Sequence, residues 1–126
     1  MKIGSQVYIK GSAEAVELYQ KAFGATLEYN VRNVDGSFFH AELFVDGDFF
    51  LAVSETDTGS SSDVIPPMQF GVEFEDEKSV MNAFENLKTG AKITLPLGKL
   101  PWSDLCASLV DKFGVNWYFT IPQHKP

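Results

Sequence analysis

Two side chains with acid–base chemistry lie close together in this sequence. His40 and Glu42 are separated by one residue within Phe38–Val45, an apolar-rich run that is typical of a β-strand. Because successive side chains of a strand alternate between its faces, both are expected on the same face, where an imidazole beside a carboxylate can exchange protons with a substrate. A second interpretation stays open, in which His40 only forms a hydrogen bond that holds the sheet. The other histidine, His124, lies in the C-terminal tail and is expected to be frayed.

The single cysteine, Cys106, lies in another predicted strand, Leu105–Val110. An internal repeat, described below, places it opposite His40, an arrangement that suggests nucleophilic catalysis by a thiol. Reactive thiols need an electropositive, partly exposed environment, however, and this chain has a net charge of −7. We therefore expect Cys106 to be an inert residue of a pocket or core. One cysteine also excludes a disulfide within the chain, which is typical of a reducing compartment, and we expect a cytoplasmic protein.

Composition and motifs argue against several classes of function. With 17 acidic and 10 basic residues and no Lys/Arg cluster, the chain lacks the clustered positive charge that binds nucleic acid. No run approaches the ~20 apolar residues that span a bilayer, and the N-terminus has no apolar stretch typical of a signal peptide. No glycine-rich nucleotide loop, P-loop, G-x-S-x-G, H-E-x-x-H or C-x-x-C motif occurs. We expect no nucleic-acid partner, no membrane association and no cofactor.

The candidate residues belong to an internal repeat of one β-α-β-β-β unit. The two copies open with the strands Gln6–Ile9 and Gln69–Phe74, and Ser12 is the predicted N-cap of the first helix. The other predicted elements are strands Thr26–Val31, Phe38–Val45 and Asp48–Ser54, helix Glu77–Lys88, and strands Lys92–Leu95, Leu105–Val110 and Asn116–Ile121. We expect a single domain over residues 1–126, with module one at about 5–55, a linker at 56–67 and module two at about 68–121.

Strand alternation sorts each predicted sheet into an apolar face and a polar face. Ala41 and Leu43 fall on the face that is expected to pack against a helix, whereas His40 and Glu42 fall on the other. The same alternation places Tyr118 on the polar face of the last strand. A mixed polar and aromatic concavity is typical of small-molecule sites. The alternative interpretation is a solvated face, as one face of an antiparallel sheet often is.

Three stretches of the sequence resemble one protein family. They are the helix pattern Ala13–Gly24, the strand segment His40–Leu43, and Trp102 followed by Asp111–Trp117, which reads Asp-Lys-Phe-Gly-Val-Asn-Trp. Over nearly its whole length the chain resembles the vicinal oxygen chelate superfamily of glyoxalases, ring-cleavage dioxygenases and bleomycin-resistance proteins, and within it the PhnB-like branch. The resemblance implies an α+β fold in which two βαβββ modules form the curved mixed sheet of the glyoxalase/bleomycin-resistance fold.

The resemblance also implies where a metal would bind. Metal-dependent members use one side chain from the first strand and one from the last strand of each module, usually His, Glu or Gln. Those positions correspond here to Gln6, Leu51, Gln69 and Tyr118, and the repeat pairs Gln6 with Gln69 and Leu51 with Tyr118. Leucine has no donor atom and a neutral amide is a weak ligand, so we predict no metal and no glyoxalase I activity.

A ligand-binding cleft is predicted between the two modules. Trp102 follows Leu100 and Pro101 on a predicted loop and is interpreted as a lid over the cleft, a hydrophobic plug or a subunit contact. The predicted cleft residues are Gln6, Tyr8, His40, Glu42, Leu51, Gln69, Trp102, Cys106 and Tyr118.

Two functions from different classes remain. The first is a metal-free, PhnB-like protein of the glyoxalase/bleomycin-resistance type that binds an unidentified small molecule in the cleft. The second is an enzyme of unknown reaction in which His40, Glu42 and Tyr118 perform acid–base chemistry on a small substrate. Each module has one sheet face that a second module must cover, and the linker is long enough to reach another chain. We therefore predict a homodimer, with or without exchange of modules between chains.

Overall fold

A computed structural model of the protein describes residues 1–122. The chain divides into two compact units, Met1–Ser60 and Ser61–Pro126, and the boundary falls inside the predicted linker. Each unit contains one helix and four strands in the order β-α-β-β-β, so the predicted α+β fold of two βαβββ modules is confirmed. The expectation for His124 concerns a residue outside the described part of the chain.

Most element boundaries follow the sequence pattern. The first module contains β1 (Gln6–Ile9), α1 (Ser12–Phe23), β2 (Thr26–Arg32), β3 (Phe38–Val45) and β4 (Asp48–Glu55). The second contains β5 (Phe70–Glu73), α2 (Glu77–Leu87), β6 (Lys92–Leu100), β7 (Ser103–Val110) and β8 (Asn116–Thr120). β6 and β7 are longer than predicted because they pair as far as Leu100 opposite Ser103. Neither helix described within residues 1–122 has the length and apolar character that crossing a bilayer requires.

Each module builds its own four-stranded mixed sheet. The strand orders are β1-β4-β3-β2 and β5-β8-β7-β6, and the first strand of each module runs parallel to the last. β3 and β4 are joined by Asp46 and Gly47, whose φ angles of 51° and 83° are both positive. Positive φ at both central residues is typical of two-residue hairpin turns, and it explains the Asp-Gly sequence.

The two cores lie between each helix and one face of its sheet. α1 packs on β3 and β4, and α2 packs on β7 and β8. The buried strand residues of the first core include Ala41, Leu43, Leu51 and Val53, and those of the second include Ala107, Leu109, Trp117 and Phe119. Burying a large apolar side chain stabilises a fold by roughly 1.5–3 kcal/mol, so these alternating positions define which face each helix covers.

The first helix is capped by a residue from the end of its own sheet. Gly11, rather than the predicted Ser12, is the N-cap, and its φ of 92° is a left-handed conformation that favours glycine. Glu55 accepts hydrogen bonds from the Gly11 N–H at 3.1 Å, and from the Ser12 N–H and hydroxyl at 2.8 and 2.7 Å. Burial acts to raise the pKa of Glu55, but the bonds from Ser12 and Gly11 outweigh it and hold the pKa below its ordinary value.

Replacement of Glu55 by Gln should make the unfolding free energy less dependent on acidic pH. Because the pKa of Glu55 is lower in the folded chain, its carboxylate stabilises the fold above the ordinary pKa of 4.5, and that contribution is lost as the pH falls through the folded value. Urea unfolding at a series of pH values should show the difference between wild type and Glu55→Gln shrinking below about pH 4.5. Glu28→Gln, at an exposed glutamate of β2, serves as the control; an equal pH response in both variants would contradict the assignment.

A buried carboxylate organises the loop between β7 and β8. Asp111 is fully buried, and its Oδ1 accepts hydrogen bonds from the N–H groups of Phe113 and Val115 at 2.9 and 3.0 Å. Its Oδ2 accepts a bond from the indole Nε1–H of Trp117 at 2.9 Å. One side chain therefore closes the loop and fixes the largest side chain of the second core.

Replacing Asp111 by Ala should destabilise the protein by about 3 kcal/mol, because the change leaves buried N–H donors without an acceptor. Urea denaturation followed by circular dichroism measures this loss. The control is Asp57→Ala at an exposed linker residue, which should change the unfolding free energy by less than about 0.5 kcal/mol. Similar losses in the two variants would show that Asp111 does not have this structural role.

Candidate functional site

In the first module, three strands place a row of side chains on the face away from α1. Gln6 lies opposite Ala52 across the parallel pair, and Ala52 lies opposite Glu42 across the antiparallel pair. The Gln6 amide Nε2–H donates to Ser54 Oγ at 3.0 Å. Tyr8 is two residues beyond Gln6 on the same strand, and it is exposed. This face therefore presents an amide, a carboxylate and a phenol around a small alanine.

His40 and Glu42 form the predicted pair. His40 Nε2 lies 2.9 Å from Glu42 Oε2, and the two side chains are 29% and 30% exposed. The ring of Tyr29 lies beside the imidazole, with centroids 6.1 Å apart. A carboxylate bonded to one ring nitrogen holds the imidazole in a single orientation, as an acid–base group requires. The pair is thus formed within one strand, and it is partly accessible.

The second module carries the equivalent row on the face away from α2. Gly71 lies opposite Tyr118, and Tyr118 lies opposite Ser108. The Ser108 hydroxyl is 2.6 Å from the hydroxyl of Thr94 on β6. The Tyr118 phenol oxygen accepts a hydrogen bond from the Trp102 indole Nε1–H at 3.1 Å.

Two further predicted residues differ in their accessibility. Trp102 lies in the tight turn between β6 and β7 and is 54% exposed. Its indole N–H is donated to the Tyr118 hydroxyl, and the rest of its ring is accessible within this module. Cys106 lies on the polar face by register, opposite Thr120, but it is fully buried with its Sγ 3.6 Å from the Gly98 carbonyl oxygen. Cys106 therefore offers no accessible surface to a ligand.

Leu51 does not belong to the candidate site, and the predicted pairing of Leu51 with Tyr118 is wrong. Leu51 is 1% exposed and lies opposite Leu43 on the face that α1 covers. Ala52 lies opposite Glu42, and Tyr118 lies opposite Ser108. Because Glu42 and Ser108 are matching residues of the two modules, the position equivalent to Tyr118 is Ala52. The prediction counted from a glycine in each turn, and it failed because β4 has a register shift. Phe49 lies opposite Phe44 and Leu51 lies opposite Leu43, so Phe50 is an extra residue, whereas β8 pairs with β7 residue by residue.

The predicted pairing of Gln6 with Gln69 is also wrong. Gln69 precedes β5 and donates its amide N–H to Asn116 Oδ1 at 3.1 Å. By register, the residue equivalent to Gln6 is Gly71. Counting back the same number of residues from each observed helix N-cap, Gly11 or Asp76, gives the same match. Five residues of these two faces were not predicted from the sequence: Gly71, Ala52, Ser54, Thr94 and Ser108.

Several solved structures share the fold of this chain. No protein-family model and no curated protein matches it. The PhnB protein from Bacillus cereus is 26% identical, with a TM-score of 0.79, over 96% of this chain and 99% of that chain. The protein PA1353 from Pseudomonas aeruginosa is 22% identical, with a TM-score of 0.78, over 98% and 99% of the two chains. A glyoxylase/bleomycin resistance protein/dioxygenase domain from Frankia sp. EAN1pec is 16% identical, with a TM-score of 0.71, over 98% of both chains.

The chain has the fold of the vicinal oxygen chelate superfamily. The resemblance predicted from the sequence is thereby confirmed, including its PhnB-like character. A fold shared at this level of identity does not carry a ligand or a reaction with it, so the chemistry of this protein rests on its own side chains.

Those side chains do not fit the metal site of the metal-dependent superfamily members. The corrected positions are Gln6, Ala52, Gly71 and Tyr118, of which alanine and glycine have no side-chain donor atom. The Tyr118 phenol is already engaged by Trp102. Within residues 1–122, no group of three or more His, Cys, Asp or Glu side chains is arranged to hold a metal ion. Neutral amide and phenol groups are weak ligands for divalent transition metals.

Glu42→Gln should change the unfolding free energy by less than about 1 kcal/mol, because the side chain is partly exposed and glutamine retains an oxygen acceptor for His40. Urea denaturation of wild type and variant measures this difference. A loss as large as the one expected for Asp111→Ala would mean that Glu42 holds the sheet together.

Proposed function

We propose that this protein binds a small molecule on the polar sheet faces of its modules without a transition metal. The observation that carries the proposal is that accessible hydrogen-bonding groups on these faces, above all His40 with Glu42 and Tyr118 with Trp102, are held in fixed orientations by one another. Small-molecule sites are typically built from a few oriented polar groups among aromatic side chains.

The competing interpretation is a merely solvated sheet face. Solvated faces are common in antiparallel sheets, and they are typically occupied by mobile charged side chains. Here the polar-face residues include the aromatic side chains of Tyr8 and Tyr118, and the Tyr29 ring lies beside His40. Orientation of polar groups together with aromatic surface favours a ligand over water alone.

A thermal-shift screen of wild-type protein against a metabolite library tests the proposal. Compounds that raise the melting temperature are then titrated by calorimetry into wild type, Glu42→Gln and Tyr118→Phe. We expect at least one of these variants to bind about five-fold more weakly, since a hydrogen bond contributes about 1 kcal/mol. Glu17→Gln, on the exposed surface of α1, should bind as the wild type does. Stabilisation by no compound, or equal affinities in all variants, would contradict the proposal.

The donor set predicts that the purified protein contains far less than one transition metal ion per chain. Elemental analysis of protein prepared without chelators measures the content, and treatment with EDTA should leave the melting temperature unchanged. Close to one zinc, nickel, manganese or iron ion per chain would overturn the metal-free part of the proposal without affecting ligand binding as such.

A second candidate function is catalysis by the His40–Glu42 pair. The 2.9 Å contact between His40 Nε2 and Glu42 Oε2 favours it, because an oriented, accessible imidazole can act as a general base or acid. Prolonged incubation of each screened compound with the protein, followed by NMR, would reveal turnover. His40→Gln should abolish turnover while leaving the affinity for the compound within about two-fold of the wild-type value. If the wild-type protein forms no product from any compound, catalysis is excluded and binding remains the function.

We also propose that the protein is a homodimer, with or without exchange of modules. In this arrangement a second module covers the polar face of each sheet, and twofold dimers are the commonest soluble oligomers. Light scattering on the eluting protein should give twice the chain mass of 14.0 kDa. A mass equal to one chain at micromolar concentration would exclude the dimer.

A further inference from the structure

The Tyr118 hydroxyl has an unused proton. A phenol can donate one hydrogen bond and accept others, and the oxygen of Tyr118 accepts the bond from the Trp102 indole N–H. Within residues 1–122, the Tyr118 hydroxyl has no second hydrogen-bond partner. The bond from Trp102 therefore fixes the position of the oxygen and leaves its O–H available to an acceptor from outside the module.

Open space adjoins the strand position next to Tyr118 on the sheet. Gly71 lies directly opposite Tyr118, and a Cβ built on Gly71 would meet no atom within 4 Å. On the other side of Tyr118, the Ser108 hydroxyl is engaged by Thr94 at 2.6 Å. A small molecule can therefore approach the backbone at Gly71, on the strand beside the one that carries the phenol.

The phenol proton requires an acceptor, and the surroundings disfavour an anionic one. The row Gly71, Tyr118 and Ser108 contains no charged side chain, and the whole chain has a net charge of −7, which disfavours anions. Trp102 is 54% exposed and adds a flat aromatic surface next to the phenol. A carbonyl oxygen attached to an apolar or aromatic group matches both features.

We propose that Tyr118 is the hydrogen-bond donor for a neutral acceptor oxygen, of the carbonyl class, bound over Gly71, and that Trp102 is a positioning residue that orients the phenol. The inference deepens the proposed function and rests on it, because it names the ligand group that the second module recognises. It assigns no role to the His40–Glu42 pair.

The test is protein-observed NMR with acetophenone, a neutral aromatic ketone, as the probe. The chain contains two tryptophans, so two indole N–H signals are expected, and Trp102→Phe identifies the one that belongs to Trp102. In wild type, acetophenone should shift the Trp102 indole signal and the Gly71 amide signal. Tyr118→Phe should raise the Kd read from the Gly71 signal about five-fold, as expected for loss of one hydrogen bond. Glu85→Gln, at an exposed residue of α2 in the same module, should leave that Kd unchanged.

Two further variants separate positioning from packing. Trp102→Phe keeps an aromatic ring but removes the indole N–H, so it should weaken acetophenone about two- to three-fold while leaving toluene, which has no acceptor, unaffected. Gly71→Ala should keep the wild-type melting temperature, because the new methyl group meets nothing, yet it should weaken both probes by occupying the open space.

The outcomes distinguish this inference from the proposed function. An unchanged Kd in Tyr118→Phe, equal losses of acetophenone and toluene in Trp102→Phe, or the lack of any shift at Gly71 would overturn the inference. Shifts confined to the first module would overturn it as well, while leaving the proposed function intact. The proposed function itself stands or falls with the metabolite screen.

Discussion

One helix covers only one face of a four-stranded sheet, and this constraint determines which side chains of each module can meet a ligand. In the first module, Leu43 and Leu51 are buried under α1, so their strand neighbours Glu42 and Ala52 must lie on the opposite face. The same alternation in β8 buries Trp117 and turns Tyr118 away from α2. The hydrophobic contact on one face thus orients the chemistry of the other.

The two tryptophans illustrate how this division works. Trp117 faces the core, where the buried carboxylate of Asp111 accepts its indole N–H. Trp102 lies in a turn, and its indole N–H is donated to Tyr118 on the other face of the sheet. The stretch Asp111–Trp117, which helped to reveal the family resemblance, therefore has a structural role, since it closes a loop and anchors a core side chain. A sequence signature of this kind reports the fold and not the reaction.

The equivalent rows of the two modules carry different chemistry. The first presents the amide of Gln6 and the carboxylate of Glu42 on either side of Ala52. In the second, Tyr118 stands between the open backbone of Gly71 and Ser108. At the four positions that the family resemblance identifies with metal ligands, this chain has an amide, two small residues without a side-chain donor atom, and a phenol. These positions lie on the sheet faces away from α1 and α2, so a change of their side chains leaves the helix–sheet packing in place.

The sequence by itself determined the βαβββ repeat, most element boundaries and the His40–Glu42 pair, because hydrophobic periodicity and strand alternation act over a few residues and are visible locally. Only the tertiary structure decided which residues of the two modules correspond. β4 has an extra residue at the register shift between Phe49 and Leu51, whereas β8 pairs with β7 without a shift, so counting from the glycine of each turn failed while register succeeded. The contact of Trp102 with Tyr118 was hidden for the same reason: a hydrogen bond between a turn and a strand sixteen residues later depends on how β6, β7 and β8 pair, which no local pattern specifies.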